Sequence, residues 1–211
     1  MIGLVYATRA EADPFLKMAK ARAVQGKPFE LFEIIVQGIS ETMVVVSGMG
    51  KVPAALATQM LIRDNPLKLV VNAGICGSLT DRPGVKPGAV FRVDSVSGGE
   101  SVHGIPEVSA ECCTGMFVEL EGTTLVTFDR PVFDSQERLA LSRRGELVDM
   151  EGYSVAHVAG MNGVSCAIIK GVTDLAGEGD RRMLRLNLAP VAEKVAGLVW
   201  HEIVRLMEVR R

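Results

Sequence analysis

The sequence predicts an α/β fold: a mostly parallel β-sheet with helices covering both faces. Three observations carry this. Apolar runs of strand length alternate with segments of helical periodicity along the chain. The 211 residues are 48% apolar, 23% charged and 5% aromatic, enough apolar material for a large core in a single domain over 1–211. No repeat, low-complexity tract or linker divides the chain.

The elements follow in order. Residues 2–7 read as a buried strand, and a helix follows to about residue 22. Residues 29–36 and 42–47 read as two strands with Gly38 between them. A helix is expected over 51–63, with Val52, Leu56 and Met60 at spacing four, and a strand over 67–73. Further strands fall within 88–96 and 115–128, dense enough to suggest a mixed or curled sheet. A short polar helix over 134–143, a helix over 150–162 and a strand over 164–172 come next. The last helix is placed near Pro190, a residue suited to a first turn, with a core stripe of Ala192, Val195, Val199, Ile203 and Leu206. Residues 97–113 and 176–187 read as loops able to cover a site.

Composition excludes several classes. With 23 Lys+Arg against 25 Asp+Glu the net charge is −2, without the basic excess of a nucleic-acid binder. No apolar run approaches the ~20 residues of a membrane span, and the N-terminus reads as a strand and not as an export signal. Cys76, Cys112, Cys113 and Cys166 match no zinc spacing, and a reduced, cytoplasmic setting is expected. His103, His157 and His201 are scattered, so no metal site is expected.

In parallel sheets ligands collect at the carboxyl ends of strands, and three such ends carry reactive residues. Glu11 follows the first strand. In Thr8-Arg9-Ala10-Glu11 it fits a capping box, whereas a helix start at Asp13-Pro14 would leave it in the turn, facing a ligand. Gly48-Met49-Gly50-Lys51 lacks the spacing of a phosphate loop and reads as a tight strand-to-helix turn. Asn72-Ala73-Gly74-Ile75-Cys76-Gly77 is a second glycine-bearing turn, where a ligand could approach the backbone. Glu151 opens a helix and shares a face with Val155 and Val158. It is either an inward carboxylate needing partners or a first-turn acid complementing the helix dipole. Asp174 ends a strand as a ligand-facing acid or an N-cap. Lys170 interrupts the same apolar strand, to pair with an acid or to reach solvent.

These motifs, in order with Val46-Ser47-Gly48-Met49-Gly50-Lys51-Val52, Val148-Asp149-Met150-Glu151 and Val172-Thr173-Asp174, resemble the nucleoside phosphorylase/nucleosidase superfamily over nearly the whole chain. The closest similarity is to its hydrolase branch, the methylthioadenosine/S-adenosylhomocysteine nucleosidases and futalosine hydrolases. The resemblance implies a central mixed β-sheet or distorted barrel flanked by helices, in homodimers or larger homo-oligomers. It implies release of a base from a 5′-modified purine nucleoside by hydrolysis, without a cofactor. Asp174 then matches the acid that protonates purine N7, and Glu11 the group that activates water. Glu151 matches the carboxylate on the ribose hydroxyls, and Met150 the apolar contact beneath the sugar. Ser47, Gly74, Ile75, Cys76, Gly77, Lys170 and Thr173 fall at substrate-binding positions, with Val132 near the base. Such an acid is expected to be partly buried and protonated with substrate bound.

The chain departs from the family pattern at named places. Lys170 stands where the nucleosidases carry Arg, losing a bidentate contact. Ile75 and Cys76 replace small residues, and Phe128-Asp129-Arg130-Pro131 replaces a Gly-Asp-containing stretch. The segment from 97 to 114 is shorter. A phosphorylase of the same fold would use phosphate as co-substrate and need a basic site, from Arg9, Lys51 and Lys170. A nucleoside-binding protein without turnover is a third reading, opposed by the three retained carboxylates.

Overall fold

The computed structural model describes residues 1–36, 39–99, 109–177 and 181–209; Gly38, His103 and the middles of both expected loops lie outside them. The elements run β1 (Ile2–Tyr6), α1 (Arg9–Met18), β2 (Arg22–Gln25), β3 (Glu30–Val36), β4 (Ile39–Val46), α2 (Lys51–Asp64) and β5 (Leu69–Ser78). Then come β6 (Val90–Gly98), β7 (Ser109–Glu111), β8 (Gly122–Thr127), α3 (Ser135–Leu141), β9 (Leu147–Asp149), α4 (Gly152–Met161), β10 (Ser165–Asp174) and α5 (Arg181–Val209).

β5 is the pivot of the sheet. It pairs in parallel with β10 and antiparallel with β9, and the path β5-β10-β6-β8-β9 returns to β5, closing a five-strand mixed barrel. From the barrel the sheet continues through β1, β4, β3 and β2. Every residue of β1 is buried, as a strand covered on both faces requires. On one face α1 and α5 pack Phe15, Val195, Val199 and Ile203 against Leu4, Tyr6 and Ile169. On the other, α2 and α4 pack Ala54, Ala57, Leu61 and Val155 against Val5, Val45 and Ile168. Each fully buried aliphatic side chain contributes about 1.5–3 kcal/mol. The expected mixed α/β fold with its distorted barrel is what the chain forms.

Three expectations are corrected, and one helix shows an unexpected face. α5 begins at Arg181, nine residues before Pro190, so most of the expected loop 176–187 is helix among the described residues. The half-buried Leu184 and Leu188 continue the apolar face of Val191 and Val195, and burying that face outweighs the single N–H that Pro190 removes. The loop expected over 97–113 contains β7. The helix expected over 51–63 is α2; Val52 and Leu56 on it are 72% and 59% exposed, and Ala54, Ala57, Thr58 and Leu61 face the sheet. Small residues let this helix lie close to its neighbours. Finally, residues 72–77 are not a turn. β5 runs through them to Ser78. Glycine marks close approach here, not chain reversal.

Candidate active site

The carboxyl ends of β1, β5 and β10 meet β9 and the start of α4 around a cavity of about 190 Å³. Glu11, Glu151 and Asp174 all line it, with Ile75, Cys76, Gly77, Val132, Met150 and Thr173. Leu184 and Leu188 of α5 and Phe133 complete the apolar wall. Ser47, Gly74 and Lys170 stand behind that wall. The Ser47 hydroxyl lies within hydrogen-bond reach of the carbonyls of Tyr6 and Gly48.

Glu11 takes the capping-box reading of its sequence. Thr8 caps α1, and its N–H and hydroxyl donate to Glu11 Oε2 at 2.9 and 2.7 Å, closing the capping box. The start at Asp13-Pro14 is not used, and Pro14 lies inside the helix. Glu11 is nevertheless 94% buried, and its Oε1 reaches over β5 to accept the Ile75 N–H at 3.1 Å. One lone pair on Oε1 remains for a further donor. This crossing explains Gly74: a Cβ there would stand 2.6 Å from Glu11 Oε1. The close approach that the glycine permits is that of the Glu11 carboxylate.

Glu151 occupies the N-cap position of α4, but its carboxylate makes no cap bond there. Oε1 accepts instead the Gly50 N–H, at 2.8 Å, from the N-terminus of α2, 101 residues away in sequence. The Gly48-Met49-Gly50 turn therefore holds a carboxyl group, and that group belongs to the protein. Burial, and next the charge of Asp149, push the Glu151 carboxyl up to about 7, against the pull of Lys170 and the Gly50 N–H.

Lys170 is 99% buried, and its Nζ pairs with Asp149 Oδ2 at 2.7 Å. Asp149 also accepts the Gly152 N–H on Oδ2 at 2.8 Å and the Thr127 hydroxyl on Oδ1 at 2.6 Å. The Thr127 hydroxyl oxygen accepts in turn the Tyr153 N–H. Burial opposes the charge on Lys170. Asp149, then Glu151 and Glu11, more than compensate, holding it above the ordinary lysine range. The ammonium thus faces a group of carboxylates in a medium of low polarity, where its field is strong.

Asp174 ends β10 and is 97% buried. Oδ1 accepts the Ala176 N–H at 2.9 Å, and Oδ2 lies 2.7 Å from the Thr173 hydroxyl, which is also 3.2 Å from the Cys76 carbonyl. Gly77 makes room for it: a Cβ there would come within 3.1 Å of Oδ1. A β-bulge falls between Val172 and Asp174 and turns the acid toward the cavity. Sequence reasoning gave no role to Asp149, Thr127, Asn187, Leu184 or Leu188. Only Asp149 left a signal: it is an acid two residues before Glu151, at the end of β9.

The matched family model settles the membership: that of the phosphorylase superfamily spans residues 1–204. The chain belongs to this superfamily. It is similar to the 5′-methylthioadenosine/S-adenosylhomocysteine nucleosidase of Treponema pallidum, 27% identical over 190 residues, covering 69% of this chain and 71% of that protein. Among solved structures it resembles the 5′-methylthioadenosine/S-adenosylhomocysteine nucleosidase of Helicobacter pylori, with a TM-score of 0.89, 18% identity and 97% of each chain covered. It also resembles a futalosine hydrolase mutant of the same organism, with a TM-score of 0.88 and 18% identity, covering 97% and 98% of the two chains. At these identities the structural likenesses establish the fold. Among the described residues of this superfamily member, no group of His, Cys, Asp and Glu could hold a metal ion, and no helix is long and apolar enough to cross a membrane.

Proposed function

We propose that this protein is a purine nucleosidase, hydrolysing the N-glycosidic bond of a 5′-modified purine nucleoside without a cofactor. The observation that carries this reading is the convergence of three buried carboxylates from α1, the start of α4 and the end of β10 on one largely apolar cavity. Its relatives include a 5′-methylthioadenosine/S-adenosylhomocysteine nucleosidase.

The chemistry balances with these groups. The bond between ribose C1′ and the base breaks with its electron pair going to the base, and positive charge builds on the sugar. Asp174 gives its proton to the base, which leaves neutral. Glu151 binds the ribose hydroxyls, and its negative charge favours the cationic transition state. Water attacks C1′ while Glu11 takes its proton through the open lone pair on Oε1. Each proton transfer contributes about 10²–10⁴-fold. Met150 supports the sugar and Val132 contacts the base.

Hydrolysis is favoured over phosphorolysis by what the candidate phosphate ligands do. Arg9 pairs with Asp13 at 2.6 Å and Glu30 at 3.3 Å, Lys51 with Asp129 at 3.4 Å, and Lys170 with Asp149. Each cation already faces a carboxylate of the protein. A homodimer or larger homo-oligomer is supported by the outward stripe of Val52 and Leu56, beside Met49, which is 65% exposed and also lines the cavity. Four free thiols support a reduced, cytoplasmic setting.

Base release, followed by chromatography with and without phosphate, tests the reading. The panel is methylthioadenosine, S-adenosylhomocysteine, futalosine, adenosine and inosine. Release without phosphate is expected. Release only with phosphate would make the protein a phosphorylase, and binding without release would make it a nucleoside-binding protein.

A further inference from the structure

One side chain close to Asp174 has no part in the chemistry above. The Nδ2 of Asn187, in α5, donates to the backbone carbonyl of Thr173 at 2.8 Å. Thr173 is the residue at the bulge: pairing with β5 passes from Val172 opposite Cys76 to Asp174 opposite Gly77, leaving Thr173 without a register partner. The Asn187 amide holds the carbonyl of this bulge residue from α5. On α5, Asn187 lies three residues after Leu184 and one before Leu188, on the face that walls the cavity.

We propose that Asn187 is a positioning residue for Asp174, acting through the Thr173 carbonyl. The inference rests on the nucleosidase reading, in which Asp174 is the proton donor. The Thr173 hydroxyl is shared between the Asp174 carboxyl and the Cys76 carbonyl, at 2.7 and 3.2 Å. Rotation of the Thr173 peptide moves that hydroxyl and the following Cα together, and so re-aims the acid. A proton donor misplaced by a fraction of an ångström loses rate while substrate binding is kept. Asn187 thus acts on departure of the base and not on attack of water.

The test compares two substrates on the full-length protein: a purine nucleoside that the parent cleaves, and p-nitrophenyl β-ribofuranoside, whose nitrophenolate leaves without a proton. Asn187→Leu is expected to lower kcat on the purine nucleoside about tenfold with KM within about twofold, and to keep kcat on the nitrophenyl riboside within about twofold. Asn187→Gln, which retains the amide donor, should recover at least about a third of the parent kcat. In an Asp174→Asn background, Asn187→Leu should cost less than about twofold more, since its target is already disabled.

Several outcomes would overturn the proposal. One is equal loss on both substrates, which would mark Asn187 as a general tether of α5. Others are no loss on either, or independent multiplication with Asp174→Asn. Failure of the parent reading is separable. If Asp174→Asn spares purine release, the assignment of the acid falls and this inference with it. If Asp174→Asn is selective and Asn187→Leu is not, only this inference falls. A parent that releases no base removes both.

Discussion

Gly74 and Gly77 stand three residues apart on β5, and each makes room for a carboxylate. The two carboxylates are nevertheless held differently. At the Gly74 end Glu11 is fixed by its own helix, through the N–H and hydroxyl of Thr8 three residues back, and by the Ile75 N–H. The buried Lys170 ammonium lies in the same region, 3.7 Å from the position a Gly74 Cβ would take. At the Gly77 end Asp174 sits on a bulge, held by Thr173 and Ala176 beside it. The first arrangement gives its carboxylate the Thr8 N–H, the Thr8 hydroxyl and the Ile75 N–H, with one lone pair on Oε1 still open. The second offers its carboxyl the Ala176 N–H and the shared Thr173 hydroxyl. One strand therefore supports two carboxyl groups to which the proposed mechanism gives opposite tasks, and the difference lies in what the neighbouring elements donate.

The largest effects should come from breaking each end separately. Asp174→Asn and Glu11→Gln should each lower kcat on a purine nucleoside by about 10²–10⁴-fold. On the nitrophenyl riboside Asp174→Asn should retain most activity while Glu11→Gln loses it; equal losses would erase the distinction between the ends. Next comes Lys170→Met, which leaves Asp149 buried without its cation and should cost about 3–5 kcal/mol in urea unfolding. Lys170→Met with Asp149→Asn should recover part of that loss, and a double variant no better than the single would show that the pair is not coupled. Gly74→Ala should displace Glu11 and reduce kcat more than Gly77→Ala reduces it, since the contacts to be relieved are 2.6 and 3.1 Å. Steady-state kinetics of the two variants check the order.

The smallest effect is a pH dependence. The Glu151 carboxyl lies near 7 instead of its ordinary 4.5, so the folded state holds a proton there that the unfolded chain has released. Its contribution to stability is therefore present at and below pH 4.5, declines as pH rises toward 7 and is flat above, a difference on the order of 1–3 kcal/mol. Glu151→Gln should flatten that segment of the stability profile. A parent and variant with parallel profiles between pH 5 and about 7 would show that Glu151 is not shifted.

What was legible in the sequence follows the range of the interactions. The capping box on Glu11 is written within four residues, and the strand bearing Asp174 within ten, so both could be read directly. The partners that aim the side chains are remote. Gly50 and Glu151, Lys170 and Asp149, and Asn187 and Thr173 meet only because the barrel closes. The misreadings have the same origin. Glycines at 74 and 77 signalled a turn because nothing local shows that two carboxylates cross them. The outward stripe of α2 marks the helix without marking its buried face, because periodicity records that a helix has an apolar side, not what that side meets. The start of α5 was placed at Pro190 because the reward for extending the helix, the cavity wall at Leu184 and Leu188, is tertiary.

The pairing of Arg9, Lys51 and Lys170 with carboxylates bears on how such a site could change its reaction during evolution. A lineage descending from this chain and acquiring phosphate as its nucleophile would not first need new arginines. It could begin by losing one of the facing carboxylates, such as Asp129 opposite Lys51, which would unbalance a charge pair already in the scaffold. The barrier between the two chemistries in this scaffold would then be one of charge release, open to single substitutions that leave the barrel untouched.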